Sequence, residues 1–199
     1  MRTGKLAQAP LQRSVLRQIN TQSGQTASAH YGADCAFLPQ ETGSASAYTA
    51  VSAAPGFRDR PEALAVAAAN NLFASKAVPQ ALIVHAVIPA EYEEAALKED
   101  MRRIAKSAQE QNMQIIGGHT EVSRDVSRPW YHMTGIGRAS VSDDENILMA
   151  GQELIVTKQI ALAGTAALAC SFEKELSERF PVSIICLLYT SPSPRDPKT

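Results

Sequence analysis

Residues 113–122 read Met-Gln-Ile-Ile-Gly-Gly-His-Thr-Glu-Val: a short apolar run, two glycines, then a polar cluster of His119, Thr120 and Glu121. The run predicts a strand over Gln114–Ile116 that stops at the Gly117-Gly118 pair. Backbone N–H groups in a tight turn form a concave seat for an anion such as phosphate. Glycine also lets a ligand come close where a Cβ would block it. The plain alternative is a strand followed by a turn that holds nothing.

Working outward, Glu91–Asn112 is the clearest helix. Leu97, Met101, Ile104, Ala105 and Ala108 recur at helical spacing, with charges on the other face. Ala81–Ile88 (ALIVHAVI) is a strongly apolar strand ended by Pro89. Glu62–Ser75 is alanine-rich and predicts a well-buried helix, with Asp59 as its cap and Glu62 reaching back. Upstream, Leu11, Val15, Leu16 and Ile19 predict a short amphipathic helix. Gly32-Ala33-Asp34-Cys35 is a turn entering a strand, and Ala47–Ala53 is a second strand after a turn at Gly43–Ser46. Downstream, Trp130–Ala139 predicts a strand whose Gly135 and Gly137 mark a bulge or a close backbone approach. Glu153–Lys158 predicts another strand and Gly164–Phe180 a helix. The mixed order predicts an α+β layer: a mainly antiparallel sheet with helices on one face.

Composition narrows the function classes. A net charge of −1 gives no reason to expect nucleic acid or an acidic membrane as partner. No apolar run approaches the roughly 20 residues of a membrane span. Three cysteines, Cys35, Cys170 and Cys186, show no metal-ligand spacing; that fits a reducing, cytoplasmic setting. Cys35 and Cys170 lie in apolar settings and read as core residues. His85 and His132 fall in predicted strands and read as structural.

The character changes at the end. Cys186–Thr199, CLLYTSPSPRDPKT, carries three prolines in 14 residues and no periodicity. It looks like a translated transposon-type sequencing adapter, to be set aside from fold reasoning as a fusion scar would be. On that reading the gene is cut near Val182–Ile185. The expected organisation is a domain at 1–150, the truncated start of a second α+β domain at 151–185, and an artefactual disordered tail at 186–199.

Several segments in order resemble one superfamily. They are Gly4-Lys5-Leu6, Gly32-Ala33-Asp34-Cys35-Ala36, Asn70-Asn71-Leu72-Phe73-Ala74-Ser75 with Pro79, Gly117-Gly118-His119-Thr120-Glu121-Val122, Thr134-Gly135-Ile136-Gly137, and Val156-Thr157-Lys158 through Gly164-Thr165-Ala166. The chain resembles the PurM-like, or AIR synthase (aminoimidazole-ribonucleotide synthase), superfamily, in particular AIR synthase-related proteins and hydrogenase maturation factors of the HypE type. The resemblance implies a homodimer paired through the N-terminal sheets, ATP between those sheets and magnesium on loop carboxylates. It also implies a maturation-protein partner if the HypE branch applies. The positions it assigns to nucleotide binding are Asp34, Asn71, Gly117, Gly118, His119 and Thr120. Asp34 is the metal ligand it implies, Glu121 joins it as a candidate through its spacing from His119, and no catalytic residue is assigned.

The chain departs from that pattern at three of four acidic positions. Ala53-Ala54, Asn71 and His119 stand where the pattern has carboxylates, and only Asp34 remains. Mg²⁺ wants oxygen ligands, and His119 suits zinc better. Glu121, two residues on in an extended segment, falls on the same side as His119 and offers a replacement carboxylate. Two functional readings therefore stand open: an ATP-dependent family member, or a dimeric scaffold or ligand-binding relative without the metal site. Blander readings stand beside each residue, with Asp34 as a turn cap, Asn71 as a polar helix-end residue, His119 as a turn histidine and Lys158 as a solvated charge.

Overall fold

Residues 44–52, Ser-Ala-Ser-Ala-Tyr-Thr-Ala-Val-Ser, alternate as a half-covered strand should. Ala45, Ala47 and Thr49 are buried, while Ser44, Ser46 and Tyr48 are half-buried. The computed structural model describes residues 5–19, 29, 31–40, 43–52, 57, 59–140, 150–153, 155, 161–181 and 183. In it this segment is β2 (Ser44–Ser52). With β1 (Ala36–Pro39), β3 (Val78–Pro89), β4 (Gln114–Ser123) and β5 (Trp130–Ser140) it forms a five-stranded sheet, ordered β1-β2-β5-β3-β4. Three pairings are antiparallel, and β3 with β4 is parallel. A parallel neighbour needs a crossover, and the helix at 94–110 supplies it. The fold is thus α+β with a mainly antiparallel sheet, as expected.

Before the sheet, a short helical segment runs through α1 (Gln8–Leu11), a π-helical turn at Gln12–Leu16 and α2 (Arg17–Ile19). Two longer helices pack on one face of the sheet. α3 (Ala63–Ala74) lies on β2, β3 and β5, and α4 (Glu94–Glu110) lies on β4 and against α3. The alanines explain the closeness of α3. Ala65, Ala68, Ala69 and Leu72 are fully buried. Gly135 makes room beneath them, since a Cβ there would meet Thr49 Cγ2 at 2.9 Å and Ala68 Cβ at 3.1 Å. Gly137 likewise admits the Val78 carbonyl oxygen, 2.9 Å from where its Cβ would stand. The close approach expected of these two glycines is present.

Other expectations need correction. The glycine pair does not end a strand: β4 continues through it to Ser123. After a register shift that skips Ile116, β3 pairs with β4 from Gly117 to Ser123, so the polar cluster is strand and not turn. The residue before α3 is Glu62, already helical in conformation and making no side-chain cap bond, and Asp59 sits in a turn. The buried stripe of α4 is also less apolar than its spacing predicts. Ile104 and Ala108 are buried, but Ala105 is exposed, and Asp100 and Ser107 are buried in its place.

Those two polar residues are held by partners. Ser107 Oγ donates to the Glu62 carbonyl (3.0 Å), tying α4 to the start of α3. Asp100 accepts from Tyr92 Oη (2.6 Å) and from Tyr131 Oη (2.8 Å), and pairs with Arg103. A buried carboxylate persists only where its oxygens are occupied in this way. Burial opposes the charge on Arg103, but the hydrogen bond to Asp100 and the nearby Glu62 and Asp100 charges outweigh it and raise the guanidinium above its ordinary value.

The chain divides into two compact units, residues 1–52 with 61–143, and residues 53–60 with 144–199. In the second, the expected helix over Gly164–Phe180 is two helices, α5 (Leu162–Ser171) and α6 (Glu173–Ser177), separated at Phe172. Arg60 pairs with Glu173 at 3.1 Å. The expected strand at Glu153–Lys158 falls mostly outside the described residues, as do Lys158, Ala53-Ala54 and the whole of 186–199.

Candidate functional site

Asp34 lies in the loop that leads into β1, and its position is set from below by a relay of side chains. Asn71 Nδ2, near the end of α3, donates to Thr49 Oγ1 (2.9 Å), and Thr49 Oγ1 donates to the Asp34 carbonyl (2.8 Å). Next to it, Cys35 Sγ donates to the Asn71 carbonyl (3.4 Å). The relay holds the Asp34 backbone while the residue itself is exposed. Helix, strand and loop are thereby locked around one carboxylate, and Asp34 and Asn71, 37 positions apart in the chain, share one corner of the sheet.

Thr49 was not among the residues the sequence singled out. The signal for it was available: it is the polar member of the inward-facing series Ala45, Ala47, Thr49, and a polar residue on a buried face needs a partner.

The relay gives Asn71 a reason to be an amide. Its carbonyl-only counterpart, a carboxylate, has no hydrogen to donate to Thr49. Asn71→Asp should therefore lower stability by about 1 kcal/mol in urea unfolding, although it restores the acid expected from the resemblance. Unchanged stability would show that the amide hydrogen is not used.

The second group of residues, Gly117 to Glu121, lies on β4 at the opposite edge of the sheet. The register pairs Gly117 with Ile83, Gly118 with Val84, His119 with His85, Thr120 with Ala86 and Glu121 with Val87. His119 and Glu121 sit side by side as the extended spacing implies, with Nε2 and Oε2 3.2 Å apart, and both are exposed. The two glycines differ. A Cβ on Gly117 would meet nothing within 4 Å; one on Gly118 would run into the Val84 carbonyl of β3. Gly118 is thus a packing residue that lets β4 close on β3.

Structure brings Asp34 and Asn71 together but leaves Gly117–Glu121 apart from them. β5 and β3 stand between β4 and β2, the strand of Thr49, a distance of three strand spacings or roughly 14 Å, and β1, which Asp34 leads into, lies one strand further away. Thr49 and Asn71 lie on the face that α3 packs against, so no ligand can run beneath the sheet from one group to the other within a single chain.

A family model described as AIR synthase related protein, N-terminal domain, matches residues 32–139. That range runs from the Asp34 loop to the end of β5. Among solved structures, AaThiL complexed with AMPPCP and TMP is 16% identical with a TM-score of 0.66, covering 97% of this chain and 61% of that one. A HypE–HypF complex is 19% identical with a TM-score of 0.47, covering 65% of this chain and 42% of that one. E. coli HypE, a hydrogenase maturation protein, is 20% identical with a TM-score of 0.43, covering 50% and 34%. The latter two likenesses fall below the level at which a shared overall fold follows. The chain spans less than two thirds of the length of each of these structures. No curated protein sequence matches the chain.

Proposed function

Because this chain belongs to the AIR synthase related family through its N-terminal domain, we propose that it binds a magnesium nucleotide and acts in an ATP-dependent reaction as a dimer. The observation that carries this reading is the Asn71–Thr49–Asp34 relay, in which the buried Thr49 hydroxyl and the half-buried Asn71 amide fix the loop backbone of one exposed carboxylate residue. Buried polar groups arranged to aim a surface residue mark positioning beyond what packing needs. The nucleotide analogue in the AaThiL complex supports the same ligand class.

The donor set fits magnesium bound with phosphate. Such an ion keeps several waters and rests on one or two carboxylates plus phosphate oxygens, and Asp34 supplies one. When bound it would neutralise phosphate charge. Asn71 contributes by holding the loop. His119 is unsuited to the ion, but Thr120 and the backbone at Gly117 can meet phosphate oxygens. The scaffold alternative is not favoured, because its support, the missing carboxylates, still leaves the number that magnesium requires.

The two groups on opposite edges are joined by pairing two copies, with Asp34 from one and Thr120 and Glu121 from the other. A two-fold dimer repeats the same patch on both subunits, so each copy would complete a site in its partner.

Calorimetry with ATP at millimolar magnesium tests this on the full chain. Saturable binding is expected, abolished by Asp34→Asn and by the double change Thr120→Ala with Glu121→Ala. Mixing the two defective variants should recover about a quarter of the sites, since half the dimers are mixed and each holds one intact site. No heat from the parent chain refutes nucleotide binding. Binding that is lost in both variants and does not return on mixing refutes the shared site.

A further inference from the structure

Three of the four histidines stand in one row across the sheet. The β3–β5 register sets His85 directly opposite His132, and the β3–β4 register sets His85 directly opposite His119. Paired residues on neighbouring strands project to the same face. The row therefore runs His132–His85–His119 on the face away from α3 and α4, where His85 and His132 are half-buried and His119 is exposed. Glu121 stands beside His119 and adds negative charge at that end. Nothing in the nucleotide reading uses His85 or His132.

We propose that His85 and His132 chelate a divalent transition-metal ion, with His119 next in line as a third ligand. The rings are already placed for it. With metal–nitrogen distances of roughly 2.0–2.1 Å, two imidazoles on one tetrahedral ion have their centres roughly 5 Å apart. The His85 and His132 ring centres are 5.9 Å apart and the rings are tilted by 60°. A side-chain adjustment of about 1 Å brings one nitrogen from each onto a common point, which is well within rotamer freedom at half-exposed positions. Among the described residues no three such side chains already surround one point. The chelate is therefore a pair, with water or His119 completing the shell. Neutral imidazole selects Zn²⁺, Ni²⁺ or Cu²⁺ over Mg²⁺, which separates this site from the carboxylate at Asp34. The strands supply the rigidity: both ligands sit in mid-strand, each paired on two sides, His132 with Ser52 and His85, and His85 with His132 and His119.

The test is titration of the full chain, free of nucleotide, with ZnCl₂ and NiCl₂ by calorimetry. Saturable binding that excess MgCl₂ does not displace is expected. His85→Ala and His132→Ala should each weaken it by at least about tenfold, the loss that even an outer-shell partner's removal causes. His30→Ala, at the remaining histidine, should leave it unchanged. Copper EPR on the unaltered chain guards against variants that fail to fold: coupling to two or more imidazole nitrogens supports the chelate, and coupling to one or none overturns it. Absence of binding by any of the three metals overturns it as well. So does binding that survives loss of both His85 and His132, or that magnesium displaces.

Discussion

Gly118→Ala is expected to detach β4 from the sheet, while Gly117→Ala changes almost nothing. At 118 a Cβ would stand inside contact distance of the Val84 carbonyl oxygen, with the Val84 carbonyl carbon at 2.9 Å. These are backbone atoms of the central part of β3 and cannot swing away. The chain has to open the β3–β4 ladder or shift β3, which also carries the β5 pairing. Overpacking against side chains costs about 1–3 kcal/mol, and a rigid backbone obstacle belongs at or above the top of that range. At 117 the same methyl meets nothing within 4 Å, and a change of less than about 0.5 kcal/mol is expected, as for ordinary surface substitutions. Urea unfolding of both variants gives the comparison, and hydrogen exchange along 114–123 locates the damage. Equal effects at the two glycines would refute the assignment.

Asp100→Ala is the second large effect. It removes the common acceptor of Tyr92 and Tyr131 and one carboxylate partner of Arg103, leaving both hydroxyls without their shared acceptor and the guanidinium with Glu62 at 3.5 Å. Breaking a buried pair from one side costs about 3–5 kcal/mol, and the partial exposure of Arg103 places the expectation near about 3 kcal/mol. Asp100→Asn retains an acceptor oxygen and should lose about 1–2 kcal/mol. A loss below about 1 kcal/mol for alanine would mean that the network is ornamental. The same network sets a pH dependence. Burial first, then the hydrogen bond to Asp100 and the Asp100 charge, raise the Tyr131 hydroxyl far above its ordinary value. The folded state therefore holds that proton more tightly than the unfolded chain does. Its contribution is fully present below the ordinary tyrosine pKa of about 10 and declines as pH rises beyond it. Unfolding followed across pH 7 to 11 should be level with respect to this group at first and fall only at the alkaline end, and Asp100→Ala should blunt the fall.

Much of the architecture was legible because it rests on periodicity. The strand at 47–53, the alanine helix at 62–75, the apolar strand at 81–88 and the charged-and-apolar helix at 91–112 rest on local patterns, and each falls on an observed element, although β2 already begins at Ser44, where a turn over Gly43–Ser46 was expected. Polar residues on buried faces were not legible in the same way. Asp100 fell among the charges assigned to the outer face of its helix, and Ser107 lay outside the apolar stripe, because pattern reading puts polar residues outside. Only their partners, Tyr131 and the Glu62 carbonyl, 31 and 45 positions away, explain why they are inside. The candidate site divides likewise. Asp34 and Asn71 were named from the order of motifs, and the relay that joins them passes through Thr49, which no motif contains.

The glycine pair shows where the line falls. That the segment 113–122 carries a strand, and that its glycines, histidine and threonine belong to an AIR synthase-like domain, follow from residue order alone, since both depend on neighbours along the chain. That the strand runs on through the pair follows from β3 pairing with it again, past an irregularity at Ile116, from Gly117 to Ser123. That Gly118 is obligatory and Gly117 is free depends on which of them faces the Val84 carbonyl. That His119 shares a row with His85 and His132 depends on the registers of two other strands. Register and close approach are properties of pairs of segments distant in sequence, set by packing of the whole sheet on α3 and α4, so no reading of one segment could contain them.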